Sequence, residues 1–431
     1  MENSVVRDRE QRVLDRKYIR ENRAAVTRAV ALKREAVDIE AYYDKDARRR
    51  AALREMEDLQ AAANAENKGI AARKKAGEDT TDAIARMKRI SDRLKELRAV
   101  AAAMEEEADA LYLRIPNVPH ESVPEGGEEA NTVMREWGEP WRPERAVRPH
   151  WELGRELDIL YLEEAARMSG SGFFVLAGDG ALLERALVNF MLDLHVEQGY
   201  RELIVPYLVN RDAMTGTGQL PKLAEDMYRV EADDLYLIPT AEVSITNLHR
   251  QETLSAELLP RRYVAFSPCF RREAGSAGKD TRGILRVHQF HKVEMVRFER
   301  PEDSWAALET LTRDAEEVLR RLELPYRVVM LATGDLSFAA AKCYDLEVWS
   351  AGVGKWLEVS SCSNFTDFQA RRAGIRFKGP GGSAFVHTLN GSGLALPRVM
   401  IALLENGQTP EGRVRVPAAL RPYVGGREML G

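Results

Sequence analysis

The 431-residue sequence predicts an α+β protein: an N-terminal antiparallel helical hairpin, then a domain built on an antiparallel sheet flanked by helices. Three observations carry this. From Asp38 to Tyr112 the chain is dominated by Ala, Glu, Arg, Lys, Leu and Met and has no proline, the composition of long helices. At Ile115-Pro116-Asn117-Val118-Pro119-His120 that pattern stops, and prolines, glycines and acids fill the stretch through Pro149. Beyond Leu153, β-branched and aromatic runs follow one another with short turns, which favours an antiparallel over a doubly wound parallel sheet. The expected organisation is 1–119 helical arm, 120–150 linker and 151–431 second domain.

In the arm, Met87, Ile90, Leu94, Leu97, Ala101, Met104, Ala108 and Leu111 alternate by three and four, an apolar seam of the coiled-coil kind. Leu53, Met56, Leu59, Ala63 and Ile70 form a weaker partner seam. Gly77 can end one helix and Asp79 to Asp82 can cap the next, so the two helices fold back as a hairpin. At about 1.5 Å per residue, roughly thirty residues reach about 45 Å. From Lys68 to Arg98 there are ten basic and five acidic residues, so the tip is basic although the whole chain carries a formal charge of -5.

That net charge argues against indiscriminate coating of nucleic acid, which needs a basic surface to displace counterions. With 45% hydrophobic and 30% charged residues and a mean hydropathy of -0.38, the balance is that of a soluble globular protein. No apolar run approaches a membrane span, and MENSVVRDREQRVLDRKY has no apolar core of a secretion signal, so a cytoplasmic location is expected. Cys269, Cys343 and Cys362 are too few and too scattered for a disulfide framework or zinc knuckles.

In the second domain, strands are expected at Glu202 to Val209, Tyr263 to Arg271 and Val287 to Phe298, with a helix spaced by Leu183, Leu187, Phe190 and Leu194. Neither a Walker loop at Gly278-Lys279 nor a dinucleotide fingerprint at Gly216 to Pro221 has the required residues. Phe266 to Phe298 reads instead as strand, polar loop, strand. Period two places Arg271 and Glu273 on one face of the first strand and Phe290 and Glu294 on one face of the second, while the loop adds Lys279 and Arg282. An arginine forks onto phosphate or carboxylate, an aromatic stacks on a base, and a carboxylate accepts from an exocyclic amine, a set suited to ATP. Alternation puts His291 opposite His288 and Glu294, which argues against a zinc cluster.

This segment resembles motif 2 of class II aminoacyl-tRNA synthetases, and FRREAGSAGKDTRG resembles the seryl-tRNA synthetase form, with Arg272 where serine is usual. Thr240-Ala241-Glu242, the block Glu358 to Asn364 followed by Asp367 to Arg372, and His387 to Ala395 leading to Arg398 agree with the same family in order. The departures are about a dozen additional residues before Leu14 and Leu396-Pro397-Arg398 where valine-glycine-arginine is common.

The resemblance implies a class II catalytic domain with a six- or seven-stranded antiparallel sheet, a homodimer formed through the helix around Leu183 to Val196 and the strand ending at Pro206, and serine-tRNA ligase activity on tRNA(Ser), and on tRNA(Sec) where present. It implies catalytic roles for Arg271 and Arg398, and a serine site of Thr240, Ala241, Glu242, Arg271, Glu294 and Ser392. The ATP site would comprise Arg271, Arg272, Glu273, Phe290, Glu358, Val359, Ser360, Ser361 and Arg398. Glu358 and Ser361 would hold Mg2+, with a local bend needed because a spacing of three does not put both on one face of a regular strand. Lys74, Lys75, Arg86 and Arg89 would bind tRNA. Two alternatives are a relative that passes serine to a carrier, which the intact arm speaks against, and a non-enzymatic RNA binder, which the presence of Arg271, Glu273, Glu294 and Arg398 speaks against.

Overall fold

The computed structural model describes residues 16–143, 147–274 and 282–431. Lys279 and the additional residues before Leu14 lie outside them. Two compact units result, one of Ile19–Pro116 and one built on Asn117–Gly431.

In the first unit, α1 (Ile39–Lys75) and α2 (Thr81–Tyr112) form the antiparallel hairpin. The Asp38 carboxylate accepts from the Ala41 amide at 2.9 Å and so caps the start of α1. Gly77, at φ +76°, turns the chain in the left-handed region open to glycine, and Asp79 Oδ1 then accepts from the Thr81 amide at 2.9 Å. Leu97 and Ala101 pack on Ala52, Leu53, Met56 and Leu59, which joins the two seams. Small buried residues, Ala63 on one helix and Ala83 on the other, continue the contact outward. Arg86–Glu66 and Arg93–Glu55 ion pairs tie the exposed sides of the two helices.

The second unit holds an eight-stranded sheet: β1 (Thr132–Trp137), β2 (Arg201–Leu203), β3 (Arg261–Phe270), β4 (Gln289–Glu299), β5 (Tyr326–Met330), β6 (Lys342–Ser350), β7 (Lys355–Asn364) and β8 (His387–Ala395). Their order is β1-β5-β6-β7-β8-β4-β3-β2, antiparallel except for the β2–β3 pair. One face, through Val293 and Met295, packs on long helices at Gly178–Glu197, Ser304–Arg321 and Leu396–Asn406. Val296 and Phe298, pointing the other way, pack on short helices at Ala241–Asn247 and Phe368–Ala373.

Three expectations need correction. The sheet has eight strands among the described residues, not six or seven, because β1 joins its edge inside the stretch expected to be linker, pairing Thr132 with Met330 and Trp137 with Tyr326. β1 is an exposed edge strand with an irregular register at Met134, so it lacks the alternation that reveals a strand. The expected strand Glu202 to Val209 is two pieces: β2 in the large sheet, and Leu208–Asn210 in a separate three-stranded sheet. Pro206, with no amide proton to give a ladder, lies in the break. Finally, β3 ends at Phe270, so Arg271 and Glu273 are not alternate residues of a strand.

Candidate functional site

A cavity of about 630 Å³ opens over β4, β7 and β8, on the face that carries Phe290, Lys292 and Glu294. Its walls come from segments distant in sequence, so the site is a product of sheet order.

Where β3 ends, the Arg271 amide still donates to the His288 carbonyl at 2.9 Å, but the Arg272 amide donates to the Asp226 carbonyl and Glu273 turns to φ +51°. This departure from the strand overturns the expected period-two pairing while leaving Arg271 and Glu273 both on the cavity wall. The Arg271 guanidinium stands 5.2 Å over the Phe290 ring, and Glu273 Oε2 accepts from Arg286 at 3.2 Å. Arg272 does not line the cavity.

Glu294 is fully buried. It pairs with Lys292, accepts from the Thr240 hydroxyl at 3.1 Å through Oε2, and accepts from Asn390 Nδ2 at 3.1 Å through Oε1. Asn390 Oδ1, also buried, finds no protein donor among the described residues. Close by, Gln369 Nε2 donates to Glu242 Oε1 at 2.6 Å, and the Thr388 hydroxyl fixes the other end of that amide at 2.8 Å. Burial, reinforced by the neighbouring Glu294 charge, pushes the Glu242 carboxyl up to about 7. Thr240, Glu242 and Ser392 face the cavity, whereas Ala241 lies behind them in the core.

On β7 the ladder contains one extra residue: Leu346 pairs with Ser360 but Glu347 pairs with Glu358, leaving Val359 as a bulge. This is the bend that the spacing of Glu358 and Ser361 required, and both line the cavity. Ser360 is turned away and donates to the Ser392 carbonyl at 2.6 Å. Asp345 sits opposite Ser361 on β6; burial and then the Glu358 charge push its carboxyl well above the usual range. Hard oxygen donors of this kind fit magnesium, and the described residues contain no cluster of three or more His, Cys, Asp or Glu around one point. Two protein oxygens suit an ion held mainly by phosphates and water.

Arg398 enters just after Pro397, at the start of the helix Leu396–Asn406, and its Nη1 donates to the Glu358 carbonyl at 2.7 Å. His291 Nδ1 meets Glu184 at 2.8 Å, while His288 Nδ1 lies 3.1 Å from the Arg271 carbonyl oxygen, so the two imidazoles serve different contacts.

The match is specific. Residues 13–119 fit the seryl-tRNA synthetase N-terminal domain, and residues 227–407 fit the class II tRNA synthetase core domain of the G, H, P, S and T enzymes. The serine-tRNA ligase of Pelotomaculum thermopropionicum is 52% identical over 97% of this chain and 100% of its own length. The chain belongs to the seryl-tRNA synthetase family. The crystal structure of the Pyrococcus horikoshii seryl-tRNA synthetase complexed with ATP superposes with a TM-score of 0.91, at 38% identity over 97% of this chain and 99% of that one. The Naegleria fowleri cytoplasmic enzyme in complex with AMP gives 0.84 at 31% identity over 95% of each.

Several residues of this synthetase site were not singled out in the sequence. Lys292 was accessible to the same alternation that paired Phe290 with Glu294. Gln369 and Asn390 lie inside motif blocks already recognised, but nothing in their spacing gave them a role. Asp345 and Arg286 depend on strand pairing and loop path. In the arm, Lys74, Lys75 and Arg89 are exposed, whereas Arg86 is also engaged by Glu66 at 2.6 Å.

Proposed function

We propose that serine and ATP meet in this cavity, where the serine carboxylate attacks the α-phosphorus and pyrophosphate leaves, and that the seryl-adenylate then acylates the 3'-terminal ribose of tRNA(Ser), or of tRNA(Sec) where present. The observation that carries this reading is a cavity lined by Arg271, Phe290, Lys292 and Arg398, with the buried Glu294 just behind its wall and bonded to the lining residues Thr240 and Asn390, in a member of the seryl-tRNA synthetase family. The substrate carboxylate is itself the nucleophile, so the protein needs to position and neutralise charge rather than form a covalent bond.

Arg271 bridges the α-phosphate and the serine carboxylate. Phe290 and Arg398 hold the two faces of adenine, and Glu273 accepts from its amine. Glu242, Glu294 and Asn390 surround the amino and hydroxyl groups, with Thr240 and Ser392 completing the pocket and Lys292 balancing the buried carboxylates. Glu358 and Ser361 would hold magnesium, which when bound neutralises phosphate charge. Val359 contributes wall, and Arg272, Ala241 and Ser360 support neighbouring backbone rather than touch substrate.

The basic hairpin tip, with Lys74, Lys75, Arg86 and Arg89, tracks the phosphates of a helical RNA arm, for which reach and charge matter more than base contacts. The arm is then residues 1–119, and the catalytic domain extends the expected 151–431 upstream to include the stretch 120–150, which contributes β1 to its sheet. A homodimer forms through the helix Gly178–Glu197 and the segment after β2, where Ile204 is 93% exposed beside exposed Tyr207 and Leu208. No helix among the described residues is long and apolar enough to cross a membrane, and we place the enzyme in the cytoplasm. Serine-dependent ATP–pyrophosphate exchange, followed by aminoacylation of tRNA(Ser), tests the reading; exchange that ignores serine would overturn it.

A further inference from the structure

His150 and Glu405 lie outside the cavity, and both are completely buried. Glu405 stands near the end of the helix Leu396–Asn406 that begins with Arg398. Its carboxylate gathers donors from three directions. Oε1 accepts from the His150 amide at 2.9 Å and lies 2.9 Å from His150 Nδ1, while Oε2 accepts from the Ser350 hydroxyl and from the amides of Gly352 at 2.9 Å and Val353 at 3.1 Å. Burial alone would raise this carboxyl, but the donors, led by the His150 side chain, hold it below the ordinary value.

The other ring nitrogen of His150 points at the loop that returns to β4. The Ile284 amide donates to Nε2 at 3.1 Å. Because an amide can only donate, Nε2 must be an acceptor, which leaves the ring proton on Nδ1, facing Glu405. Gly283 fits the same contact: at φ +65°, an added Cβ would lie 2.0 Å from Nε2. Past this point Ile284, Leu285, Arg286 and Val287 form cavity wall, and Arg286 reaches Glu273 at 3.2 Å.

We propose that His150 is a positioning residue for ATP, one that relays the fixed Glu405 carboxylate to the Ile284 amide and so sets the wall against which adenine lies. The proposal rests on the reading of this cavity as the ATP site. A buried amide acceptor is lost in His150→Asn, whose side chain reaches only as far as Nδ1. His150→Gln can place an oxygen where Nε2 was.

The test is pyrophosphate exchange, with KM measured separately for ATP and for serine. His150→Asn should raise the ATP KM about tenfold and leave the serine KM within about twofold, and His150→Gln should recover most of the ATP KM. A filler of the core without this role would lower thermal stability in both variants and leave the ATP KM unchanged. Phe290→Ala is the reference. If it raises the ATP KM while His150→Asn does not, the positioning role is overturned and the ATP reading stands; if neither raises it, the ATP reading falls and the proposal with it. Should His150→Asn fail to fold, hydrogen exchange on the wild-type enzyme without ATP decides: slow exchange at the Ile284 amide supports the contact, and exchange at the rate of an open loop overturns it.

Discussion

The Arg398 guanidinium rests on Glu358, with Nη1 2.7 Å from its backbone carbonyl and 3.3 Å from carboxylate Oε2. In the proposed site that carboxylate would also hold magnesium, so Arg398 and the cation would share one acceptor. Glu358→Gln preserves size and removes the charge. It should raise the magnesium concentration for half-maximal pyrophosphate exchange by about tenfold or more. Full chelation should abolish exchange and magnesium alone restore it; an unchanged magnesium titration in the variant would take Glu358 out of the site.

The proposed reaction asks Arg271, which stands over Phe290 just past the end of β3, to meet charge that grows at the α-phosphorus. Arg271→Ala should lower the rate of exchange a hundredfold or more, on the order of 3 kcal/mol of transition-state stabilisation. Near wild-type exchange would refute the assignment.

Glu242 predicts a pH dependence. Its carboxyl is pushed up to about 7 by burial and by Glu294, so below that pH it is mostly neutral. The serine ammonium stabilises the ionised form, so kcat/KM for serine should rise with pH through about 7 and then level off. Glu242→Gln should remove this inflection and lower kcat/KM by about tenfold or more, as expected for a lost hydrogen bond to a charged group. The linkage runs the other way for folding. The unfolded chain ionises this group near 4.5, below the folded value, so the free enzyme loses stability from Glu242 as pH climbs from 4.5 to 7. A profile of kcat/KM with no inflection in that range would show that Glu242 does not sense the substrate amine.

How much of this was legible beforehand depended on whether the information was local. The hairpin was, because a seam of three-and-four spacing specifies both its helices and the faces that meet, and Gly77 and Asp79 mark its turn. Phe290 and Glu294 on one face were legible for the same reason, and Lys292 stood between them unread. The bulge at Val359 was foreshadowed by the spacing of Glu358 and Ser361, but its location needed the register of β6 on β7. Glu273 was misplaced because period two holds only while the strand lasts, and the chain turns off where its amides find Asp226 instead of a strand partner. Contacts such as Gln369 on Glu242 or Thr240 on Glu294 join residues 127 and 54 positions apart, and no local pattern encodes them.

The arm gives the last prediction. Ile19–Pro116 is a compact unit of its own, and its two long helices pack on each other through Ala52, Leu97 and Ala101. Activation of serine should therefore not need it. Replacing Asp38 to Tyr112 by a short linker should leave serine-dependent exchange largely intact and remove most of the affinity for tRNA. Within the intact arm, neutralising Lys74, Lys75 and Arg89 should weaken tRNA binding and flatten its dependence on salt, because each lost phosphate contact removes released counterions from the slope. Adding Arg86 to the set should do less than a fourth exposed lysine would, since its charge is already partly satisfied by Glu66. Filter binding across a salt series measures both slope and affinity. If the shortened enzyme charged tRNA with unchanged affinity, the hairpin would be a spacer and the contacts that hold tRNA would belong to the catalytic domain.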